Sequence, residues 1–275
     1  MAARIIIAAI LSPIILLCMF AKSPFWFIGL CMLALTLALN ELYYMLKNRK
    51  MNAYIITGNI FALAVYALVI IRPAPAYYFA CLGIFVMTVL TQVVFSKDEK
   101  NLHRAFYTVL PLAYITVLGT FSIHLRMLSN GSWLAFLLLL LTLVYDSGAY
   151  FVGTAMGKTR LIPELSPGKT VEGCIGGLVV NVIVAVIICL SVFPRFGVSS
   201  LLGEHTLAHM IILAVILSVT GQIGDIAESA FKRLTGVKNS SNLLPEHGGA
   251  LDKIDSLMFN APVLYLYLKL ILHAV

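Results

Sequence analysis

"WLAFLLLLLTLVYDSGAYFVG", residues 133–153, is a run long enough to cross a bilayer that carries an acid, Asp146, near its end. About 20 predominantly apolar residues in a helix span the hydrocarbon core. Comparable runs recur at about 5–21, 25–46, 51–71, 74–95, 105–125, 133–152, 171–193, 207–231 and 256–275. The 275 residues are 61% hydrophobic and 11% charged, against about 25% charged in a soluble domain. The pattern predicts an all-α polytopic membrane protein of about nine transmembrane helices. The first run reads as a retained helix and not a signal peptide. Only Arg4 precedes it, Pro13 lies inside it, and no clear small-residue cleavage site follows.

The net charge of +7 suggests nucleic acid until the basic residues are placed. Lys47, Arg49 and Lys50 follow the second run, Lys97, Lys100 and Arg104 the fourth, and Lys158, Arg160 and Lys169 the sixth. Lys232, Arg233, Lys238 and Lys253 end or follow the eighth. All fall on the side of Arg4; the other side has only Lys22, Arg72, Arg126 and Arg195. This is a positive-inside bias. It predicts a cytoplasmic N-terminus, an external C-terminus and no nucleic-acid partner. The five cysteines lie within apolar runs without metal-type spacing and read as small buried hydrophobes. No linker separates soluble domains, so residues 1–275 are expected to form a single integral membrane domain.

Polar content divides that domain. Residues 1–130 read as scaffold helices, with Glu41 the sole acid inside their runs, open between a structural hydrogen bond and a remote contribution to function. Residues 140–260 carry three polar blocks, each at the cytoplasmic end of a run. They are "YDSGAYFVG" (145–153), "SPGKTVEGCIGG" (166–177) and a stretch from "GDIAESAFKR" (224–233) to Ser256. Ionisable groups at membrane depth are costly and tend to be functional. Asp146, Asp225 and Glu228 sit there, and the alternative for each is a structural acid paired to a helix-end cation.

Spacing narrows the chemistry. Asp225, Glu228, Ser229 and Lys232 share one face of the eighth helix, and Asp252 and Asp255 one face of the ninth. Paired carboxylates suit Mg²⁺, which keeps several waters for phosphate oxygens; charge pairing with nearby lysines is the rival account. Gly248 and Gly249, just before the ninth helix, and Lys169 with Ser166 and Thr170, just before the seventh, can present N–H groups and charge to an anion. "SPGKT" is not a Walker loop, because Pro163 stands where the loop needs glycine. Carboxylates, lysines and amide-rich turns at a cytoplasmic membrane surface imply phosphoryl or nucleotidyl transfer to a lipid.

The segment "SAFKRLTGVKNSSNLLPEHGGALDKIDS" (229–256) resembles the signature of the phosphatidate cytidylyltransferases, the CDP-diacylglycerol synthases. Ser229, Lys232, Arg233, Lys238, Pro245, His247, Gly248, Gly249, Asp252 and Asp255 fall in the family's order, with "GDIAES" upstream. Asn239 and Lys253 stand where the family has Asp and Arg. The resemblance implies that CTP and phosphatidate give CDP-diacylglycerol and pyrophosphate. It also implies Mg²⁺, alone or with a second cation, a nine-helix fold, a homodimer, and residence in the inner or plasma membrane of a bacterium. It assigns the metal to Asp225, Asp252 and Asp255, and catalytic roles also to Lys169, Lys232, Arg233 and His247. His247 either bonds a phosphate or shapes its turn. Asp146, Ser166, Thr170, Glu228, Ser229, Lys238, Asn239, Gly248, Gly249 and Lys253 are the expected substrate contacts. The rivals are a CTP-dependent lipid-alcohol kinase, a diverged paralogue of low activity, and a transporter of anions or lipids.

Overall fold

The computed structural model describes residues 2–71, 74–95, 101–198, 201–243 and 248–272. Its helices are α1 (Ala2–Phe20), α2 (Phe25–Asn48), α3 (Ile55–Ile71), α4 (Pro75–Phe95) and α5 (Asn101–Arg126). α6 (Gly131–Met156), α7 (Val171–Phe196), α8 (Thr206–Thr235) and α9 (Leu251–Leu270) follow. Among the described residues, then, one helix falls on each apolar run. By length and composition α2 and α4 to α8 can each cross a membrane. α3 and the described apolar part of α1 are shorter, and α9 carries Asp252, Lys253, Asp255 and Lys269. Large apolar side chains stay outside the protein core, Phe95 being 82% exposed. Such a surface calls for lipid rather than water. The chain is a helical integral membrane protein.

Two irregularities have local causes. Pro111 has no N–H to continue the α5 ladder, and the helix widens into a π turn over Leu112–Val117 directly after it. α7 loosens through a π turn at Ile188–Val192, then tightens into a 3₁₀ turn containing Pro194. Among the described residues the one sheet is a short antiparallel hairpin, β1 (Arg160–Ile162) and β2 (Ser166–Thr170), pairing Arg160 with Thr170 and Ile162 with Ser166.

The chain groups into two compact units. The first holds Met1–His124 and Phe231–Ile254, the second Leu125–Ala230 and Asp255–Val275. In the first, buried and half-buried polar pairs fix helix neighbours. Asn40 and Asn59 exchange amide hydrogen bonds of 3.0 and 3.1 Å, and the Tyr43 hydroxyl donates to the Thr108 carbonyl. Gln92 donates to Thr57 at 2.8 Å. In the second, α6 and α7 approach closely because small residues face each other. A side chain at Gly173 or Gly177 would strike the backbone of Ala149. Small residues four apart are how membrane helices bring backbones together without a hydrophobic drive.

Candidate active site

Within the second unit, a ladder of polar contacts locks four helices together. Asn260 of α9 accepts from Thr220 of α8 and donates to Thr142 of α6 at 2.9 Å. Asn181 of α7 donates to Ser218 of α8 at 3.0 Å. Nearer the polar end, Gln222 of α8 accepts from the Tyr145 hydroxyl at 2.9 Å and the Cys174 thiol at 3.5 Å. Glycine lets α8 close on α9: a Cβ at Gly224 would meet the Asp255 carbonyl oxygen at 2.7 Å.

One turn beyond Gln222 this packing brings three acids together. Asp225, Glu228 and Asp255 each place a carboxylate oxygen within 4.8 Å of the others. Glu228 is fully buried, while Asp225 and Asp255 are half-buried. Lys169 at the end of β2 pairs with Asp225, its Nζ 2.5 Å from the carboxylate. Asp146 of α6 feels the charges of both. Like charges this close oppose one another, and a cation relieves them. Carboxylate oxygens are hard donors, the set that Mg²⁺ accepts. The residues present therefore fit a divalent cation.

The hairpin aims Lys169. Its base is closed by Glu172 in the first turn of α7, whose carboxylate accepts from the Lys158 N–H at 3.0 Å and the Thr159 N–H at 3.1 Å. Thr170 is the N-cap of α7, its hydroxyl accepting from Gly173 N–H at 3.1 Å. The structure thus gives Thr170 a capping role and buries it, and leaves Ser166 half-buried on β2. Ser229 is buried on α8 beside Glu228.

The first unit contains the loop that joins α8 to α9. Asp252 is its organiser. One carboxylate oxygen accepts from Lys232 at 2.8 Å. The other accepts from the N–H groups of Ser240 at 2.9 Å and Gly249 at 2.8 Å, and from the Ser240 hydroxyl at 2.8 Å. Gly248 turns at φ 85°, where a Cβ would collide with that same oxygen. Arg233, Lys238, Asn239 and Lys253 are exposed. His247 lies outside the described residues.

The sequence profile of the cytidylyltransferase family matches residues 2–271. The chain belongs to the cytidylyltransferase family. It is 39% identical over 193 residues to the phosphatidate cytidylyltransferase of Bacillus subtilis, covering 70% of this chain and 66% of that protein. Over 162 residues it is 41% identical to that of Haemophilus influenzae, with 58% of this chain and 53% of the relative covered. Over 179 residues it is 37% identical to that of Staphylococcus saprophyticus, with 65% of each covered. The chain is thus matched over less than two thirds of the length of these relatives.

As a cytidylyltransferase-family chain, this one groups its expected residues unevenly. Asp225, Asp255, Glu228, Lys169 and Asp146 converge in one unit; Asp252, Lys232, Gly248 and Gly249 interlock in the other. Three residues outside the expected set hold parts of these arrangements: Glu172, Gln222 and Ser240. Glu172 gave a signal, an acid in the first turn of a helix right after the basic turn. Ser240 gave none, because a serine in a polar loop carries no spacing signal and its partner Glu41 lies 199 positions away.

Proposed function

We propose that the protein is a CTP:phosphatidate cytidylyltransferase that makes CDP-diacylglycerol for phospholipid synthesis. The phosphate oxygen of phosphatidate attacks the α-phosphorus of CTP. The bond from that phosphorus to the bridging oxygen breaks, and pyrophosphate leaves. The observation that carries the reading is the group of Asp225, Glu228 and Asp255 beside Lys169 in a chain of this family. Asp225, Glu228 and Asp255 would hold Mg²⁺, whose charge offsets that of the triphosphate.

The chain's own groups account for the remaining roles. Lys169 exchanges part of its pairing with Asp225 for a phosphate oxygen as substrate arrives. The resemblance assigns Lys232, Arg233, Lys238 and Lys253 as further cations for the phosphates, with Asn239 and Gly248 as neutral contacts; the Gly249 N–H is given to Asp252 and shapes the turn. Asp146, close enough to feel the charges of Lys169 and Asp225, helps keep Lys169 in place beside the cluster. No general base is assigned, since a phosphate monoester is already an anionic nucleophile. The resemblance also gives Asp252 to the metal; its described contacts all order the loop, and variants separate the two roles.

The deciding experiment supplies purified protein with labelled CTP, phosphatidate and Mg²⁺ and follows both products. CDP-lipid and pyrophosphate in equal amounts are expected. Phosphorylated lipid with CDP would replace this reading by that of a lipid kinase. The same proposal places nine spans in the membrane with the N-terminus in the cytoplasm, so a reporter fused after Val275 should behave as external; a cytoplasmic signal would mean that the spans are miscounted. It also holds the protein to be a homodimer, for which light scattering of the detergent-solubilised chain should give twice the 30.1 kDa protomer mass.

A further inference from the structure

Glu41 sits in α2, in the midst of an apolar run, and is buried at 8% exposure. A carboxylate in such a place needs donors. It finds four, from the loop after α8 and the start of α9. Oε1 accepts from the Ser241 hydroxyl at 2.7 Å and the Ala250 N–H at 2.9 Å. Oε2 accepts from the Ser240 hydroxyl and the Leu251 N–H, both at 2.9 Å. Ala250 and Leu251 start α9, whose first N–H groups have no partner within the helix. Glu41 therefore caps α9 from a helix some 200 positions earlier in the chain.

The cap leads directly to Asp252. Ser240 has one hydroxyl hydrogen, and its Oγ lies 2.9 Å from Glu41 and 2.8 Å from Asp252. The two carboxylates share that hydrogen. Gly249 is flanked by both, and a Cβ there would strike Ser240 Oγ and Glu41 Oε2. α2 also holds the other end of the loop: Arg49 Nε donates to the Thr235 carbonyl at 2.9 Å, where α8 ends.

We propose that Glu41 is a positioning residue for the reaction, holding Ser240 and the start of α9 so that Asp252 and its partner Lys232 keep the orientation that nucleotide binding uses. This rests on the cytidylyltransferase reading. A buried acid in the scaffold half is thereby tied to the signature loop, which its sequence neighbours give no reason to expect.

The test uses the full chain in lipid–detergent micelles with three variants. Glu41→Gln replaces two acceptor oxygens by one. Ser240→Ala leaves Glu41 on α9 and cuts its link to Asp252. Asn40→Ala removes an interhelical hydrogen bond of α2 away from the loop and controls for general damage. Initial rates against CTP and hydrogen–deuterium exchange are measured for each. Glu41→Gln should raise KM for CTP by about tenfold, the usual scale for residues that orient a ligand-holding group, and should speed exchange at Ala250 and Leu251. Ser240→Ala should raise KM without speeding exchange at those two amides. Asn40→Ala should leave KM unchanged. Mere loss of folded protein lowers kcat and leaves KM alone, so an unchanged KM in Glu41→Gln overturns the proposal. Should Glu41→Gln fail to fold, Ser240→Ala decides alone, and an unchanged KM there overturns it. An inactive wild type would overturn the reaction reading instead, and the exchange data would still decide whether Glu41 holds the loop.

Discussion

Two groups of acids in this chain solve opposite problems. Asp225, Glu228 and Asp255 lie within 4.8 Å of one another in the second unit, with one lysine paired to Asp225. Glu41 and Asp252, in the first, are saturated by N–H and O–H donors of the protein. A carboxylate wrapped in donors is content as it stands and stiffens what surrounds it. Carboxylates that face each other repel, and positive charge relieves that repulsion. The first arrangement orders the loop, and the second is the one proposed to hold a cation. Substitution should therefore separate them: activity without stability in one, stability together with activity in the other.

The largest effect belongs to Asp225→Asn. Asn keeps the shape and removes charge from the cluster, and loss of a metal's charge stabilisation costs several kcal/mol of barrier. The rate of CDP-lipid formation should fall by more than about 100-fold, equivalent to ~2.7 kcal/mol. The thermal midpoint without Mg²⁺ should change little, because relief of repulsion in the cluster is offset by loss of the ion pair with Lys169. Mg²⁺ should raise the midpoint of the wild type, by binding the folded state alone, and do so far less in the variant. Activity within about tenfold of wild type would remove Asp225 as a principal metal holder.

Asp252→Asn comes next and sharpens the contrast. An amide has one acceptor oxygen, so either Lys232 or the Ser240 and Gly249 donors lose their partner. Leaving such a group unsatisfied costs about 1–3 kcal/mol, and thermal unfolding should register it together with lowered activity. Undiminished stability with abolished activity and a lost Mg²⁺ response would instead make Asp252 a metal ligand and join the two groups into one. Gly249→Ala should follow, with a destabilisation of about 1–3 kcal/mol from overpacking. Its Cβ has nowhere to go between Ser240 and Glu41. A midpoint equal to wild type would show that the loop is looser than its hydrogen bonds imply.

Much of this was legible in the residues. Each apolar run became one helix, because run length is set by bilayer thickness and helix rise, both local quantities. Asp225 and Glu228 were placed on one face by their i, i+3 spacing, and that face is where Asp255 meets them. The hairpin at 160–170 was not visible, being too short to show a period and fixed by Glu172 from the next helix. Nor was the grouping of Phe231–Ile254 with the scaffold helices. That depends on Glu41 and Arg49, whose partners lie about 190 to 210 positions away. The one local hint was an acid without a neighbouring cation in an apolar run, a burial that demands partners from elsewhere.

The smallest effect tests how far the loop's order extends. Asn239 stands where the resembling signature has an acid. It is exposed, and the next residue, Ser240, is buried with its N–H and hydroxyl on Asp252. An acid at 239 is therefore not needed to satisfy Asp252, whose oxygens are already filled. If position 239 orients a water or a lysine, an amide oxygen still accepts that bond. Asn239→Asp should then leave the thermal midpoint unchanged and lower the Mg²⁺ needed for half-maximal rate by no more than about tenfold, the low end for residues behind a metal's own ligands. Rates against Mg²⁺ for both forms measure it. An inert wild type rescued outright by the acid would show that charge at 239 is part of the binding group itself, and the division between cation-binding and loop-building acids would have to be redrawn to include it.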